Sequence, residues 1–272
     1  MAQDLTVLKL GGSLLTDKTK PYAVREDVLK SVAREIKDCI SEGLIQSLVL
    51  LHGAGSYGHP LVLKHQLHKG FQNREQILHL AKLQEKVNEF RHMIVKQFHE
   101  IDIPMVLLHP SSMVTSEKMK MTNYFLESLR GFVSLETVPL LGGDMIIDSV
   151  MRWSVGSGDQ LAVILSKELG AKNLIFASDV AGIYEADPKQ NPDAAPIERI
   201  NLNELDKTLE RMGASSVADA SGAMKGKLMS IVPAKPLIEK GLDVGLLSMM
   251  EYGTLTKYLK GEQVQATRVV VE

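Results

Sequence analysis

Two short glycine-rich runs each follow an apolar run, an arrangement that recurs wherever a protein holds phosphate. The first is Gly11-Gly12-Ser13, just after Thr6 to Leu10. The second is His52-Gly53-Ala54-Gly55-Ser56-Tyr57-Gly58-His59, just after Ser47 to Leu51. Glycines let the backbone approach an anion closely, and the amides at a following helix N-terminus point at it. One such turn is an ordinary turn former. Two of them, after neighbouring strands at one edge of a sheet, would make a shared cleft for two anions.

The second run admits other chemistry. Gly53, Gly55 and Gly58 satisfy the dinucleotide pattern G-x-G-x-x-G, and Glu75 lies roughly where a ribose-binding acid would. Against a nicotinamide site, the run follows the second strand rather than the opening one, and His59-Pro60 interrupts the expected helix start. It is not a P-loop either. His59 stands where the lysine belongs, and Pro60 replaces the hydroxyl that holds magnesium.

Lysines supply the other half. Lys9 sits inside the apolar first strand, where a lysine needs a partner or an anionic ligand. Lys18 follows in the loop after the first glycines. Lys225 and Lys227 flank Gly226, behind Ser221-Gly222, at the start of a late helix. Each alone reads as a solvated surface lysine; the glycine-rich context sets these apart.

The elements that must position these residues follow from periodicity. Thr6 to Leu10, Ser47 to Leu51, Pro104 to Leu108 and Asn173 to Ala177 are short, nearly continuous apolar runs, as in strands covered on both faces. Val28, Val32, Ile36 and Cys39 or Ile40 recur at helical spacing between Arg25 and Glu42, and a long helix is expected from Arg74 to Glu100. Met119 to Trp153 reads as hairpins, with Gly142-Gly143-Asp144 and Asp148 as turns. A helix from Ser157 to Leu169 ends at Gly170. Asp187 to Pro196 is a loop, Ala223 to Lys240 is mostly helix despite Pro233 and Pro236, and Asp243 to Leu247 and Thr267 to Val271 are late strands. The β-α-β-α-β order argues for a parallel sheet with helices on both sides.

Composition narrows the function classes. The chain of 272 residues carries 31 basic and 33 acidic side chains, with no long run of one sign. Nucleic-acid binding, which needs a concentrated basic surface, is not favoured. The single cysteine, Cys39, excludes an intrachain disulfide and a cysteine metal cage, and its apolar helical position reads as a buried inert thiol. No signal pattern or bilayer-length apolar run is present, so a soluble cytoplasmic protein is expected, with no membrane partner. His65, His68, His79, His92, His99 and His109 show no metal-ligand spacing and read as solvated or packing residues.

Taken together, five pieces in this order resemble the amino acid kinase family over almost the whole chain. They are Lys9 to Ser13 with Thr16-Asp17-Lys18; the His52 to His59 run; Gly156-Ser157-Gly158-Asp159; Ser178 to Tyr184 with Asp187-Pro188; and Gly222-Ala223-Met224-Lys225-Gly226-Lys227. Ala223 departs from the second glycine common there, and Tyr57 replaces a common phenylalanine. A histidine at the end of the second run resembles the branch that phosphorylates isoprenyl monophosphates, and the related fosfomycin kinases; members with a carboxylate acceptor do not use one.

The resemblance implies an α/β, three-layer αβα sandwich with a mainly parallel central sheet and a β-hairpin flap. It implies one domain over residues 1–272, with an acceptor lobe to about residue 170 and a nucleotide lobe beyond it. It implies ATP as co-substrate, Mg2+ carried by the ATP phosphates without a protein metal ligand, and a homodimer. The catalytic group would be Lys9, Lys18, His59, Asp159 and Lys227. ATP would be held by Lys9, Gly11, Gly12, Ser13, Gly55, Asp179, Tyr184, Gly222, Lys225 and Lys227. His59, Ala54, Gly55 and Gly158 would hold the acceptor phosphate, and His52 would support the loop. Of the helical stripe Ile77, Leu80, Leu83, Val87, Phe90 and Ile94, at least half is expected to be core. Leu83, Val87 and Phe90, with Ile146 or Ile147, are the expected tail pocket. Two other classes stay open here: a nucleotide-binding protein without turnover, and a nicotinamide oxidoreductase.

Overall fold

The fold comes from a computed structural model that describes residues 4–186, 188, 191, 193–213 and 220–272, the side chains of 211–213 and 220–224 excepted. The chain opens with β1 (Leu5–Leu10), a single turn α1 (Gly12–Leu15), α2 (Glu26–Ser41), β2 (Ser47–His52), α3 (Gly55–Lys64), α4 (Gln76–His99) and β3 (Met105–Leu107). It continues through β4 (Val114–Glu117), β5 (Lys120–Tyr124), α5 (Glu127–Ser134), β6 (Val138–Gly142), β7 (Asp144–Asp148), β8 (Arg152–Gly156), α6 (Gly158–Leu169) and β9 (Asn173–Ser178). The last part holds β10 (Ile183–Tyr184), β11 (Pro196–Ile197), β12 (Arg199–Asn201), α7 (Leu205–Gly213), α8 (Ala220–Ile231), α9 (Lys235–Ile238), β13 (Asp243–Ser248), α10 (Thr254–Leu259) and β14 (Ala266–Val270).

Eight strands form the central sheet in the order β12-β14-β13-β9-β1-β2-β6-β3, parallel except for the β13–β14 pair. Strand residues alternate between two cores. Leu5 and Val7 of β1 join the core with α6 and α8, through Leu161, Leu165, Leu228 and Ile231. Leu8 and Leu10 join the opposite core with α2, α4 and α10. By the same alternation Lys9 shares the face of Leu5 and Val7. Helix α2, after β1, and helix α8, after β9, cover opposite faces. The boundary between β1 and β9 is therefore a topological switch point, where open parallel sheets bind ligands beyond the strands' carboxyl ends. The first glycine run emerges there, and the second from the neighbouring β2.

Two sequence expectations need correction. Helix α3 is not interrupted at His59-Pro60 but runs through both to Lys64. Packing overrides the proline: Tyr57 stacks on Phe90 (centroids 5.0 Å apart) and its hydroxyl donates to the Tyr22 carbonyl (2.9 Å). The middle is also not all hairpins. Val138–Gly142 is β6, an inner strand of the central sheet, and at Gly143 the chain crosses directly into β7 of a second sheet. That sheet, β5-β4-β7-β8, does consist of two hairpins, placed side by side.

One buried carboxylate holds the second sheet together. Asp148 accepts from Ser116 Oγ (2.9 Å) and from the amides of Lys118 (3.2 Å), Met119 (2.9 Å), Val150 (3.0 Å) and Met151 (2.8 Å). Burial alone would raise its pKa, but these donors hold it far below the ordinary 3.8. Its stabilisation is therefore complete above the ordinary value and is lost as pH falls below it. Asp148→Ala orphans five donors and should lower unfolding stability by about 3 kcal/mol or more. Denaturant unfolding at pH 7 checks this, and the difference from the parent should shrink towards pH 2. An unchanged midpoint would show that the two hairpin turns do not need the carboxylate.

Candidate active site

The two glycine runs touch. A Cβ on Gly12 would come within 2.4 Å of the Gly55 nitrogen, and one on Gly53 within 2.7 Å of the Gly12 nitrogen. Gly55 also adopts φ +51°, a left-handed conformation suited to glycine. Thr16 stitches the runs together: its hydroxyl donates to the Gly12 carbonyl (2.6 Å) and accepts from the Ser56 amide (2.9 Å). Close packing thus explains part of the glycine content, and it creates one continuous rim. The Ala54 and Gly55 amides lie at the open start of α3, where a helix supplies no earlier carbonyl for them.

Beneath this rim lies a buried charge triad. Lys9 Nζ is 2.7 Å from Asp159 Oδ1, and Lys227 Nζ is 3.3 Å from Asp159 Oδ2. Lys227 also lies 5.1 Å over the Phe176 ring. The lysines are only 7% and 8% exposed, so the partner that Lys9 needs is this carboxylate. Local sequence sets its position. Ser157 caps α6 by accepting from the Asp159 and Gln160 amides, and Asp159 falls in the first turn, where the helix dipole favours an acid. Burial would raise the Asp159 pKa, but Lys9 and Lys227 outweigh it and hold it at about 2. For Lys227, burial and then the Lys9 charge push the ammonium down to about 8, against the pull of Asp159.

Two ammoniums and one carboxylate leave the triad with a net positive charge, and so with a demand for an anion. An anionic ligand should raise the depressed Lys227 pKa. Polyphosphate binding between about pH 8 and 10 should then take up protons and weaken as pH rises. Calorimetry of ATP binding in buffers of different ionisation enthalpy measures the uptake directly. Buffer-independent heats at pH 8.5 would contradict it. Without ligand, the folded chain loses this proton before the unfolded chain does, so stability moves with pH in the opposite direction to ligand binding. The unfavourable contribution of Lys227 is thus relieved as pH rises from about 8 towards 10.5.

A cavity of about 220 Å3 opens beside the triad. Its lining includes Lys9, Gly53, Ala54, His59, Gly158 and Asp159, and also Val62, Leu83, Val87, Met145 and Val155, which pack as one apolar cluster. Gln84 and Asp144 lie along its side. His59 is exposed, and its Nδ1 lies 3.1 Å from the Gly55 carbonyl. A carbonyl only accepts, so Nδ1 carries a proton, and Nε2 is free to donate to an anionic ligand when it too is protonated. His52, by contrast, is fully buried. Its Nε2 accepts from Arg91 Nε (3.2 Å), its Nδ1 donates to the Gly53 carbonyl (3.2 Å), and it packs edge-on to Phe90. Burial, then the Arg91 charge, push its pKa down to about 3, so it is a neutral buttress of the loop.

The expected residues divide clearly. Lys9, Asp159 and Lys227 meet in the triad, and Lys9 and Asp159 share the cavity wall with Ala54, His59, Gly158, Leu83 and Val87. Phe90 is core beneath the cavity and does not line it. Ile147 does not line it either: it is 63% exposed, two residues further along β7 than Met145, which does. Ile146 is packed in the core. Lys18 and Lys225 are exposed, and Ser13, Asp179 and Tyr184 are half-buried. Asp187 lies outside the described residues, and Gly222 falls within α8, where the side chains of 220–224 are not described. Sequence reasoning missed Val62, Gln84, Asp144, Met145 and Val155. The period-2 alternation of β7 and β8 could have flagged Met145 and Val155, once those strands were known to lie over α4.

Cys39 is buried, and burial pushes its thiol up to about 11, as an inert cysteine requires. Among the described residues, no group of three or more histidine, cysteine or acidic side chains is placed to hold a metal ion, and no helix is long and apolar enough to cross a membrane.

An eight-stranded, mainly parallel sheet with paired glycine loops and a cationic cleft at its switch point defines a phosphate-handling α/β enzyme. The amino acid kinase family model matches residues 4–235, and the chain belongs to that family. It is thus a phosphotransferase, a kinase with ATP as co-substrate and a phosphate-bearing or carboxyl acceptor. It is 33% identical over 233 residues to the isopentenyl phosphate kinase of Methanocaldococcus jannaschii, covering 82% of this chain and 85% of that one. It is 30% identical over 276 residues to the isopentenyl phosphate kinase of Methanothermobacter thermautotrophicus, covering 97% and 98%. A solved isopentenyl phosphate kinase structure superposes with a TM-score of 0.82 at 27% identity, covering 98% of this chain and all of that one.

Proposed function

We propose that this chain phosphorylates isopentenyl phosphate with ATP, giving isopentenyl diphosphate and ADP, a step of isoprenoid precursor synthesis. The observation that carries the reading is the polarity of one cavity. Its apolar cluster suits a short branched hydrocarbon, and its polar lining offers His59, helix-start amides and Lys9 to a charged head. The relatives named above support it.

In this reading the acceptor phosphate oxygen is the nucleophile, and phosphoryl transfer asks for positioning and charge neutralisation more than for a base. The obstacle is repulsion between two anions. One pair of unit charges at ~4 Å costs about 1 kcal/mol in water and about 4 at an effective dielectric of 20. His59 and the Ala54, Gly55 and Gly158 amides hold the acceptor phosphate. Lys9, Lys227 and the exposed Lys18 gather around the transferring group. Asp159 is not the base: with two ammoniums on it, it orders the lysines. Gly11, Gly12, Ser13, Asp179, Tyr184, Lys225 and Gly222 serve the nucleotide. Mg2+, carried on the ATP phosphates, would add charge neutralisation without a dedicated protein ligand. The two-lobe division near residue 170, a homodimer and a cytoplasmic setting accompany this reading.

The product decides it. The 31P spectrum of a reaction with ATP, Mg2+ and isopentenyl phosphate should show the coupled doublets of a diphosphate monoester growing with ADP. ADP release without that signal would sink the assignment.

A further inference from the structure

Arg91, on α4 one turn beyond Val87, is 1% exposed. Its five N–H groups meet five acceptors from separate parts of the chain. Nε donates to His52 Nε2 (3.2 Å). Nη1 donates to Asn88 Oδ1 (2.9 Å) and His109 Nδ1 (3.2 Å). Nη2 donates to the Gly143 carbonyl (3.0 Å) and pairs with Asp144 Oδ2 (3.4 Å). With every donor engaged, Arg91 has none left for a ligand, so any effect on catalysis must pass through its partners.

Those partners are the cavity wall. His52 holds the Gly53 carbonyl, and the Gly143 amide donates to the His52 carbonyl (3.1 Å). Gly53, Gly143 and Asp144 all line the cavity, beside Leu83 and Val87 of the helix that carries Arg91. Asp144 is the awkward member. A carboxylate in the wall of a site for an anion repels the ligand unless it is neutralised. Its oxygens are engaged by Arg91 and by the Ser111 (3.2 Å) and Met145 (2.9 Å) amides, and Arg91 is the cation among these partners.

We propose that Arg91 is a positioning residue for the acceptor phosphate, which fixes the Gly53 and Gly143 walls and masks the Asp144 carboxylate from the incoming anion. The proposal rests on the phosphate-acceptor reading above. Its planar five-donor fork is the reason a lysine would not serve.

The test compares parent, Arg91→Lys, Arg91→Met, Asp144→Asn and the Arg91→Met/Asp144→Asn double variant. KM is measured for isopentenyl phosphate and for ATP. In parallel, calorimetry gives the Kd of inorganic phosphate with a non-hydrolysable ATP analogue bound. Arg91→Met should raise acceptor KM and phosphate Kd about tenfold or more and leave ATP KM within about twofold. Asp144→Asn on top of it should restore at least half of that loss on a logarithmic scale. Asp144→Asn alone should leave acceptor KM equal or lower. A loss shared equally with ATP, or not relieved by Asp144→Asn, would overturn the proposal. If Arg91→Met does not fold, Arg91→Lys and Asp144→Asn decide: a tenfold higher acceptor KM in Asp144→Asn overturns the masking role. A parent that binds phosphate in this pattern but does not turn over isopentenyl phosphate refutes the functional reading and leaves the Arg91 role standing.

Discussion

Lys9→Met lowers kcat by about a thousandfold without lowering thermal stability, because the triad is built for charge rather than for folding. In the resting protein Lys9 and Lys227 share Asp159, at 2.7 and 3.3 Å. Removing Lys9 takes the net positive charge to zero, so the developing phosphoryl charge meets a neutral pair. The fold loses little. Methionine fits an apolar strand, Asp159 keeps Lys227, and Lys227 is freed from a neighbour that lowers its pKa. Removing one partner of a buried ion pair destabilises when it leaves an uncompensated charge, and here Lys227 still compensates Asp159. Single-turnover kinetics and a melting curve on one preparation check both halves. A melting temperature that falls in step with activity would mean that the triad is mainly a structural clasp.

His59→Ala raises the acceptor KM about a hundredfold and leaves stability within about 0.5 kcal/mol, whereas His52→Ala mainly costs stability and raises the acceptor KM far less. The asymmetry follows from burial. His59 is exposed, and its ring bonds the Gly55 carbonyl of its own helix. His52 is sealed under the loop, and its loss orphans Arg91 Nε and opens a void beside Phe90 and Gly142. That should cost about 2–3 kcal/mol of unfolding stability. Urea denaturation and acceptor titrations on both variants separate the two histidines. If His59→Ala keeps the parent's acceptor KM, its Nε2 does not hold the acceptor.

The strands were legible because burial on both faces leaves an unbroken apolar run, as in β1, β2 and β9. Lys9 was legible because a cation inside such a run must be answered. Where sequence fell short, the deciding contact was far away in the chain. Pro60 stays in α3 because Tyr57 is held by Phe90 and Tyr22. Gly142-Gly143 looks like a hairpin turn, yet it carries the chain between two sheets, and only the partner strands reveal it. The sequence points to Ile146 or Ile147 for the pocket, yet Met145, on the same face of β7 as Ile147, lines it. Met145 and Ile147 differ by two residues along the strand, about 7 Å, and periodicity says nothing about where a cavity ends. Arg91 gave no signal at all: a single arginine in a long, mixed helix reads as solvated, and its five acceptors come from scattered places.

The central claim is that the acceptor carries a phosphate on a short hydrocarbon. The most direct measurement is kcat/KM from coupled ADP release over one acceptor panel: isopentenyl phosphate, fosfomycin, glutamate, N-acetylglutamate and carbamate. Isopentenyl phosphate should exceed every carboxylate acceptor by at least about a thousandfold, since no carboxylate meets both the cationic and the apolar lining of the cavity. Equal or better turnover with any other member of the panel would contradict it.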